Sequence, residues 1–161
     1  MTMPAYLKAT GNTQGNIEGS CTIKDHENTM LINAVQHTIE IPKSPQTGLP
    51  TGKRVHGPLT VTKNYDKASP KLFQALCTGE QFSSVMLEYY WISKDGKEEK
   101  YYTTELKNAI IVSINYQKKD AVEPASGPHG DEELVSFTYE TIVQTWVKDG
   151  IEAQDSWTGS K

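Results

Sequence analysis

The chain has 161 residues, enough for one domain with a substantial core, and no stretch reaches the about eighteen apolar residues of a membrane span. Sixteen Lys and Arg against twenty Asp and Glu leave a formal net charge of −4, which argues against nucleic acid as a partner. The first residues, Met1-Thr2-Met3-Pro4-Ala5-Tyr6-Leu7-Lys8, show no charged leader followed by an apolar run, so no signal peptide and no membrane insertion are expected. Cys21 and Cys77 have no redox-type or metal-type spacing and read as reduced thiols of a protein made in the cytoplasm.

Ile17, Gly19, Cys21 and Ile23 alternate with polar residues and predict a strand with one wet face. A second strand is expected from about Met30 to Ile41, with Leu31, Val35, Ile39 and Ile41 on one side. Residues 42–53 then hold three prolines and two glycines, which preclude a continuous ladder and predict a long extended loop projecting from the body. Such loops are more often functional than decorative. This one reads either as a bare hairpin crown or as a docking arm whose prolines lower the entropy lost on contact.

Val55, Leu59 and Val61 mark a strand leading into a short α-helix over about 70–78. Ser69 is placed to cap its first turn, Pro70 suits the first helical position, and Gly79 suits the left-handed closing residue. A helix this short must dock on something, and Leu72, Phe73 and Leu76, with Ala75 and Cys77, are its expected docking face.

Phe82 to Ile92 reads as a third long strand, with Val85, Leu87, Tyr89 and Trp91 on one face and Met86, Tyr90 and Ile92 on the other. Asp95-Gly96 is a two-residue hairpin signal turning into Glu98–Leu106, followed by a separate strand Ala109–Tyr116. After a Gly/Pro loop from Glu123 to Asp131 come Leu134–Val147, a turn at Asp149-Gly150 and a last strand ending near Trp157. The expected fold is mainly β, an antiparallel β-barrel of about eight or nine strands with one short flanking helix, in a single domain over 1–161. The stretches Leu87–Ile92 and Val135–Val147 carry apolar or aromatic residues on both faces, so a partner is expected to cover the outer one.

No catalytic, cofactor or metal site is expected. His26, His37, His56 and His129 lie in four different elements without ligand spacing. Asp25-His26-Glu27 reads as a solvated turn, Asp131-Glu132-Glu133 as a solvated strand entry, and Lys97 to Lys100 as a charge-blunted hairpin edge. Phosphate-loop, nucleophile-elbow and zinc-helix patterns are missing.

The run Arg54-Val55-His56-Gly57-Pro58-Leu59-Thr60-Val61-Thr62-Lys63, continuing through Asp66, Ser69-Pro70, Leu72 and Gly79, resembles the haemolysin-coregulated protein (Hcp) family. The order of Gly19 to Asn28, Gln36 to Pro42, Phe137 to Ile142, Asp149-Gly150 and Asp155-Ser156-Trp157 agrees with it. Those proteins form the inner tube of type VI secretion systems and are similar in fold to phage tail-tube proteins. The resemblance implies a homo-hexamer whose rings stack into a tube, effector proteins in the lumen, a spike protein and a sheath as partners, and export from the bacterial cytoplasm without a signal peptide. It also implies that Pro45, Gln46, Thr47, Gly48, Leu49 and Pro50 contribute to contacts between rings. The alternatives are a monomeric small-ligand barrel of lipocalin type, which lacks its early Gly-x-Trp because the tryptophans are Trp91, Trp146 and Trp157, and a barrel enzyme, disfavoured by the scattered histidines.

Overall fold

The computed structural model describes residues 3–122 and 130–156. Eleven strands and one helix follow in order: β1 Ala5–Gly11, β2 Gly15–Ile17, β3 Met30–Gln36, β4 Ile39–Glu40, β5 Val55–His56, β6 Leu59–Asn64, α1 Ser69–Thr78, β7 Gln81–Ile92, β8 Glu98–Gln117, β9 Glu132–Thr138, β10 Thr141–Trp146 and β11 Ile151–Ser156. β8, β7, β1, β3, β6 and β9 pair in that order and β9 returns to β8, so six antiparallel strands close a barrel. Three more strands bond outside it: β2 on β1, β10 on β8 and β11 on β10. The mainly β barrel expected from turn spacing is the observed fold.

Inward-facing side chains alternate along each barrel strand and meet at the axis. Leu7, Met30, Ile32, Leu59, Val61, Phe82, Leu87 and Phe137 are each 2 % exposed or less, and Phe82 meets Phe137 edge-on at 6.1 Å. Burial of each such side chain contributes roughly 1.5–3 kcal/mol. β1, the shared neighbour of β7 and β3, lies outside the strands expected above, although Leu7, Ala9 and Gly11 do alternate with Lys8 and Thr10.

Several boundaries differ from expectation. The predicted strand over Ile17–Ile23 stops at Ile17, because the chain folds back on itself: Cys21 and Asn28 bond to each other's side of the loop (Asn28 N–H to Cys21 C=O, 3.0 Å), and the Cys21 N–H reaches Thr29 C=O at 3.1 Å. Gly19 permits the approach, since a Cβ there would sit 2.3 Å from the Thr29 carbonyl oxygen. The predicted strand Met30–Ile41 breaks at His37–Thr38, where the backbone leaves the barrel. Leu134–Val147 likewise divides at Tyr139–Glu140 into β9 and β10. By contrast, the two strands expected over 98–106 and 109–116 are one, β8. It bends at Asn108, whose φ of 54° lies in the left-handed region that Asn tolerates better than most residues. There β8 exchanges β10 for β9 as its partner, and Asn108 donates from Nδ2 to Glu140 Oε2 at 3.1 Å.

The helix shows a further difference. Its closing turn has Gly79 at φ 70°, with the Gly79 N–H on Leu76 C=O and the Glu80 N–H on Ala75 C=O, the paired bonds of a Schellman ending. At the other end Ser69 does not cap; Ala68 occupies the cap position, where it has no polar side chain to cap with and its own N–H bonds Asp66 Oδ1 at 3.0 Å. The Ser69 hydroxyl instead accepts the Asp66 N–H at 3.0 Å and donates to Glu133 Oε1 at 2.8 Å. Leu72 is 1 % exposed and Leu76 packs against the core, but Phe73 faces outward at 47 % exposure. At one residue after Leu72, Phe73 is turned about 100° away from the buried stripe and Cys77 is exposed as well, so the predicted five-residue docking face narrows to Leu72, Ala75 and Leu76.

Two charged segments read as solvated each have one buried member, Glu133 and His26, while Asp25 and Glu27 are exposed and Asp131 and Glu132 half-buried. Lys63 and Glu133 sit opposite each other on β6 and β9, both at 0 % exposure, with Nζ 2.6 Å from Oε1. Lys63 also reaches Asp66 at 2.9 Å and the Asn64 carbonyl at 3.1 Å. His26 is 7 % exposed, stacks on the Tyr6 ring at 3.8 Å, meets Tyr90 edge-on and bonds Glu98. The reason is the same in both cases: each group finds counter-charge or an aromatic face, which offsets its desolvation. Of the doubly apolar stretches, Ile142 and Val143 are covered within the chain, whereas Trp91 and Ile92 remain exposed at 37 % and 58 %.

Candidate functional site

The most distinctive element for interaction is the segment between β4 and β5. Ile39 pairs with His56 and Glu40 with Val55, so the chain leaves the barrel as a narrow two-stranded ribbon. Beyond it the ladder is reduced to one bridge between Lys43 and Pro50, as the prolines dictate. The tip is nevertheless well knit. Thr51 N–H bonds Pro42 C=O, Ser44 N–H bonds Leu49 C=O and Gly48 N–H bonds Ser44 C=O, each at 2.8 Å. Ser44 Oγ accepts the N–H groups of Gln46 and Thr47, and Thr47 Oγ1 accepts that of Leu49. Gly48, at φ 74°, supplies the left-handed residue the turn needs.

Among the described residues, no hydrogen bond or ion pair runs from residues 43–53 to the barrel. Ile39, Ile41, Leu49 and Val55 are 43 %, 53 %, 64 % and 46 % exposed. The arm is therefore ordered by its own bonds and presents apolar side chains to solvent. Pro45, Gln46, Thr47, Gly48, Leu49 and Pro50 together form its outer end, all exposed.

Its root is anchored by a relay of polar groups. Arg54 donates from Nε and Nη2 to Asp155 on β11, at 2.5 and 2.8 Å, a two-point guanidinium–carboxylate pair. Asp155 also meets His56 Nε2 at 2.7 Å. His56 Nδ1 lies 2.5 Å from the Tyr139 hydroxyl, which is 2.9 Å from His37 Nε2. The hydrogen bonds from Arg54, then that from His56, hold Asp155 below the usual carboxylate range despite some desolvation. Burial and the nearby His56 push His37 below the ordinary histidine value, opposed by the Gly57 backbone. Burial and the charge of Asp155 push Tyr139 well up, so its hydroxyl stays protonated and acts as a strut, not a nucleophile. Gly57 completes the joint: its N–H bonds Thr38 C=O at 2.9 Å, and a Cβ there would stand 3.1 Å from that oxygen.

By sequence the four histidines fall in separate elements. The structure brings His37 and His56 onto one hydroxyl, leaves His26 in the Tyr6–Tyr90 cluster, and His129 and Trp157 lie outside the described residues. Among the described residues no group of three or more His, Cys, Asp or Glu side chains is placed to hold a metal ion. The Arg54–Asp155 pair was not anticipated, since residues a hundred positions apart give no local signal. Lys63 and Glu133 did leave one: each shares the inward parity of its strand, with Leu59 and Val61 on β6 and with Val135 and Phe137 on β9.

Comparison with known proteins agrees with this architecture. Residues 6–146 match the family described as "Type VI secretion system effector, Hcp". The major exported protein of Pseudomonas aeruginosa is 38 % identical over 166 aligned residues, spanning 98 % of this chain and 96 % of that protein. The solved structure of the Hcp1 protein from the E. coli EAEC 042 pathovar superposes with a TM-score of 0.87 at 32 % identity, over 96 % of this chain and 99 % of that one. Secreted protein Hcp3 from Pseudomonas aeruginosa gives 0.80 at 33 % identity, over 96 % and 97 %. The fold is thus shared along nearly the whole chain, and the protein belongs to the Hcp family of type VI secretion, a family of secreted structural tube proteins rather than enzymes.

Proposed function

We propose that this chain is the subunit of a secreted inner tube: six copies close into a ring, rings stack, and the lumen carries effector proteins. The observation that carries the reading is the arm, an element ordered by its own hydrogen bonds yet leaving Ile39, Ile41, Leu49 and Val55 between 43 % and 64 % exposed. An apolar ribbon of that kind is stabilised when a neighbour removes it from water. Pro45 to Pro50 form the part that contacts the adjacent ring. The outer β10–β11 pair offers a second uncovered surface, a cleft of about 470 Å³ whose lining includes Ile39, Trp146 and Ile151. A ring interface must be heterologous and close after a fixed rotation, while axial contacts stay open and propagate. In the apparatus the tube meets a spike protein at its tip and a sheath around it, and it leaves the bacterial cytoplasm by that route without a signal peptide.

Light scattering across a concentration series, with negative-stain imaging of the same sample, tests this. The expected result is a mass of six 17.9 kDa chains and annular particles that lengthen into rods as concentration rises. A strict monomer at the highest concentration would remove the reading.

A further inference from the structure

The arm has a candidate receptor at the other end of the barrel. Tyr65, Asp66, Ser69, Pro70, Phe73 and Tyr116 wall an open groove of about 610 Å³ between α1 and β8. The Tyr65 and Tyr116 rings meet edge-on at 6.0 Å, and Tyr65, Phe73 and Tyr116 are 45 %, 47 % and 49 % exposed. Phe73 is the outward residue of a helix whose packing rests on Leu72 and Ala75, so the fold does not account for its placement.

Arm and groove lie apart along the barrel axis. The arm returns to the barrel just before Leu59, at the start of β6, and Tyr65 follows its last residue, about 20 Å further on at the usual rise per residue. The arm is also rooted away from the groove: Ile39 shares a cleft with Trp146, which pairs with Tyr102 near the start of β8, whereas Tyr116 lies near the end of that strand.

Charge and shape agree. Asp66 is the one charged residue of the groove wall, and the buried cluster behind it sets two carboxylates, Asp66 and Glu133, against the single ammonium of Lys63. Glu133 Oε2 has no hydrogen-bond partner there. Between residues 42 and 53 the arm carries Lys43 and Lys53 and no acidic side chain. Its three prolines and Leu49 are the side chains that aromatic-lined grooves accept, because a proline-rich segment loses little entropy on docking.

We propose that this groove receives the Pro45–Pro50 tip of the arm of a second copy of the chain. Leu49 and the proline rings lie against Tyr65, Phe73 and Tyr116, and Lys43 faces the Asp66 side. Donor and receptor occupy opposite ends of one barrel, so the contact is head-to-tail, leaves a free arm and a free groove at the two ends, and propagates. It rests on the stacked-ring reading above and names the receiving surface.

Two measurements on the full chain test it. The first places a thiol-linked benzophenone at Leu49→Cys, in a Cys21→Ser, Cys77→Ser background, and maps the photo-cross-link in stacked rings. Attachment to α1, Tyr65 or Tyr116 of another copy is expected; attachment to any other segment overturns the proposal and leaves stacking itself intact. The second uses Phe73→Ala with Tyr116→Ala, both exposed positions. The ring mass should be unchanged while the concentration needed for stacking rises at least about tenfold, the effect of losing about 1.4 kcal/mol of contact. Stacking at an unchanged concentration overturns the groove, and absence of rings in the unaltered chain removes the tube reading together with it.

Discussion

Lys63 and Glu133 face each other across β6 and β9 inside the barrel, Nζ to Oε1 at 2.6 Å, with both residues at 0 % exposure. Two charges withdrawn this far from water are held only because each completes the other. Asp66 and the Asn64 carbonyl accept further bonds from the Lys63 ammonium, Ser69 donates to Glu133 Oε1, Oε2 of Glu133 stays without a partner, and the same cluster ties the start of α1 to β9.

Breaking that pair is therefore expected to be costly. Lys63→Met should destabilise the fold by about 3–5 kcal/mol, the usual cost of leaving a buried charge, here that of Glu133, without its partner. Lys63→Met combined with Glu133→Leu should recover most of the loss. Urea midpoints of the three proteins decide it, and a double variant no better than the single one would show that the cluster is needed for more than mutual neutralisation.

The helix offers a contrast between neighbouring residues. Leu72→Ala should cost about 2–5 kcal/mol through a cavity in the core, and Phe73→Ala should stay within about 0.5 kcal/mol because its ring faces outward. Equal shifts in the two urea midpoints would contradict the packing described.

Acid should loosen the arm's root. His37 is held below its ordinary value, so the folded state binds fewer protons there than the unfolded one. Its contribution is complete above about pH 6.5 and declines as pH falls below that towards the lowered folded value. Asp155 and Glu88 act further down. For Glu88, burial favours the neutral acid, but hydrogen bonds from Lys100 and Lys8 outweigh it and hold the carboxyl low. Both carboxylates contribute above their unfolded values near 4 and lose that contribution as pH falls through their folded ones. Exchange of the Gly57 amide, corrected for its intrinsic rate, should accelerate between pH 7 and pH 5, and His37→Gln should flatten that dependence.

Arg54 and Asp155 lock the arm more than they stabilise the barrel. Their side chains are 30 % and 36 % exposed, so Asp155→Asn should cost no more than about 1 kcal/mol globally. Trypsin cleavage after Lys53 should nevertheless become several-fold faster, since the ribbon loses its strongest tether. An unaltered cleavage rate would mean that the His37–Tyr139–His56 contacts suffice by themselves.

Shortening Gln46–Leu49 to a tight turn should leave rings of unchanged mass and weaken their stacking. Rings lost in that variant would place the arm within the ring interface instead.

Much of this protein is written locally. Alternation of apolar residues, the Asp95-Gly96 turn, Pro70 and Gly79 around the helix, and the prolines of residues 42–53 each act through neighbours in sequence, so strand content, one short helix and a projecting arm follow from the chain itself. Which strands join and which divide is decided elsewhere. Asn108 sits within one bent strand because β10 hands over to β9 there, and His37–Thr38 break a strand because Gly57 comes close enough to bond Thr38. Charge placement is likewise a tertiary outcome. His26 and Glu133 look like solvated turn residues until Tyr6, Glu98 and Lys63 arrive from distant strands, since only a partner across the barrel makes burial of a polar group favourable. Periodicity and turn chemistry are short-range and survive in one dimension, whereas desolvation and pairing depend on what closure of the barrel brings together.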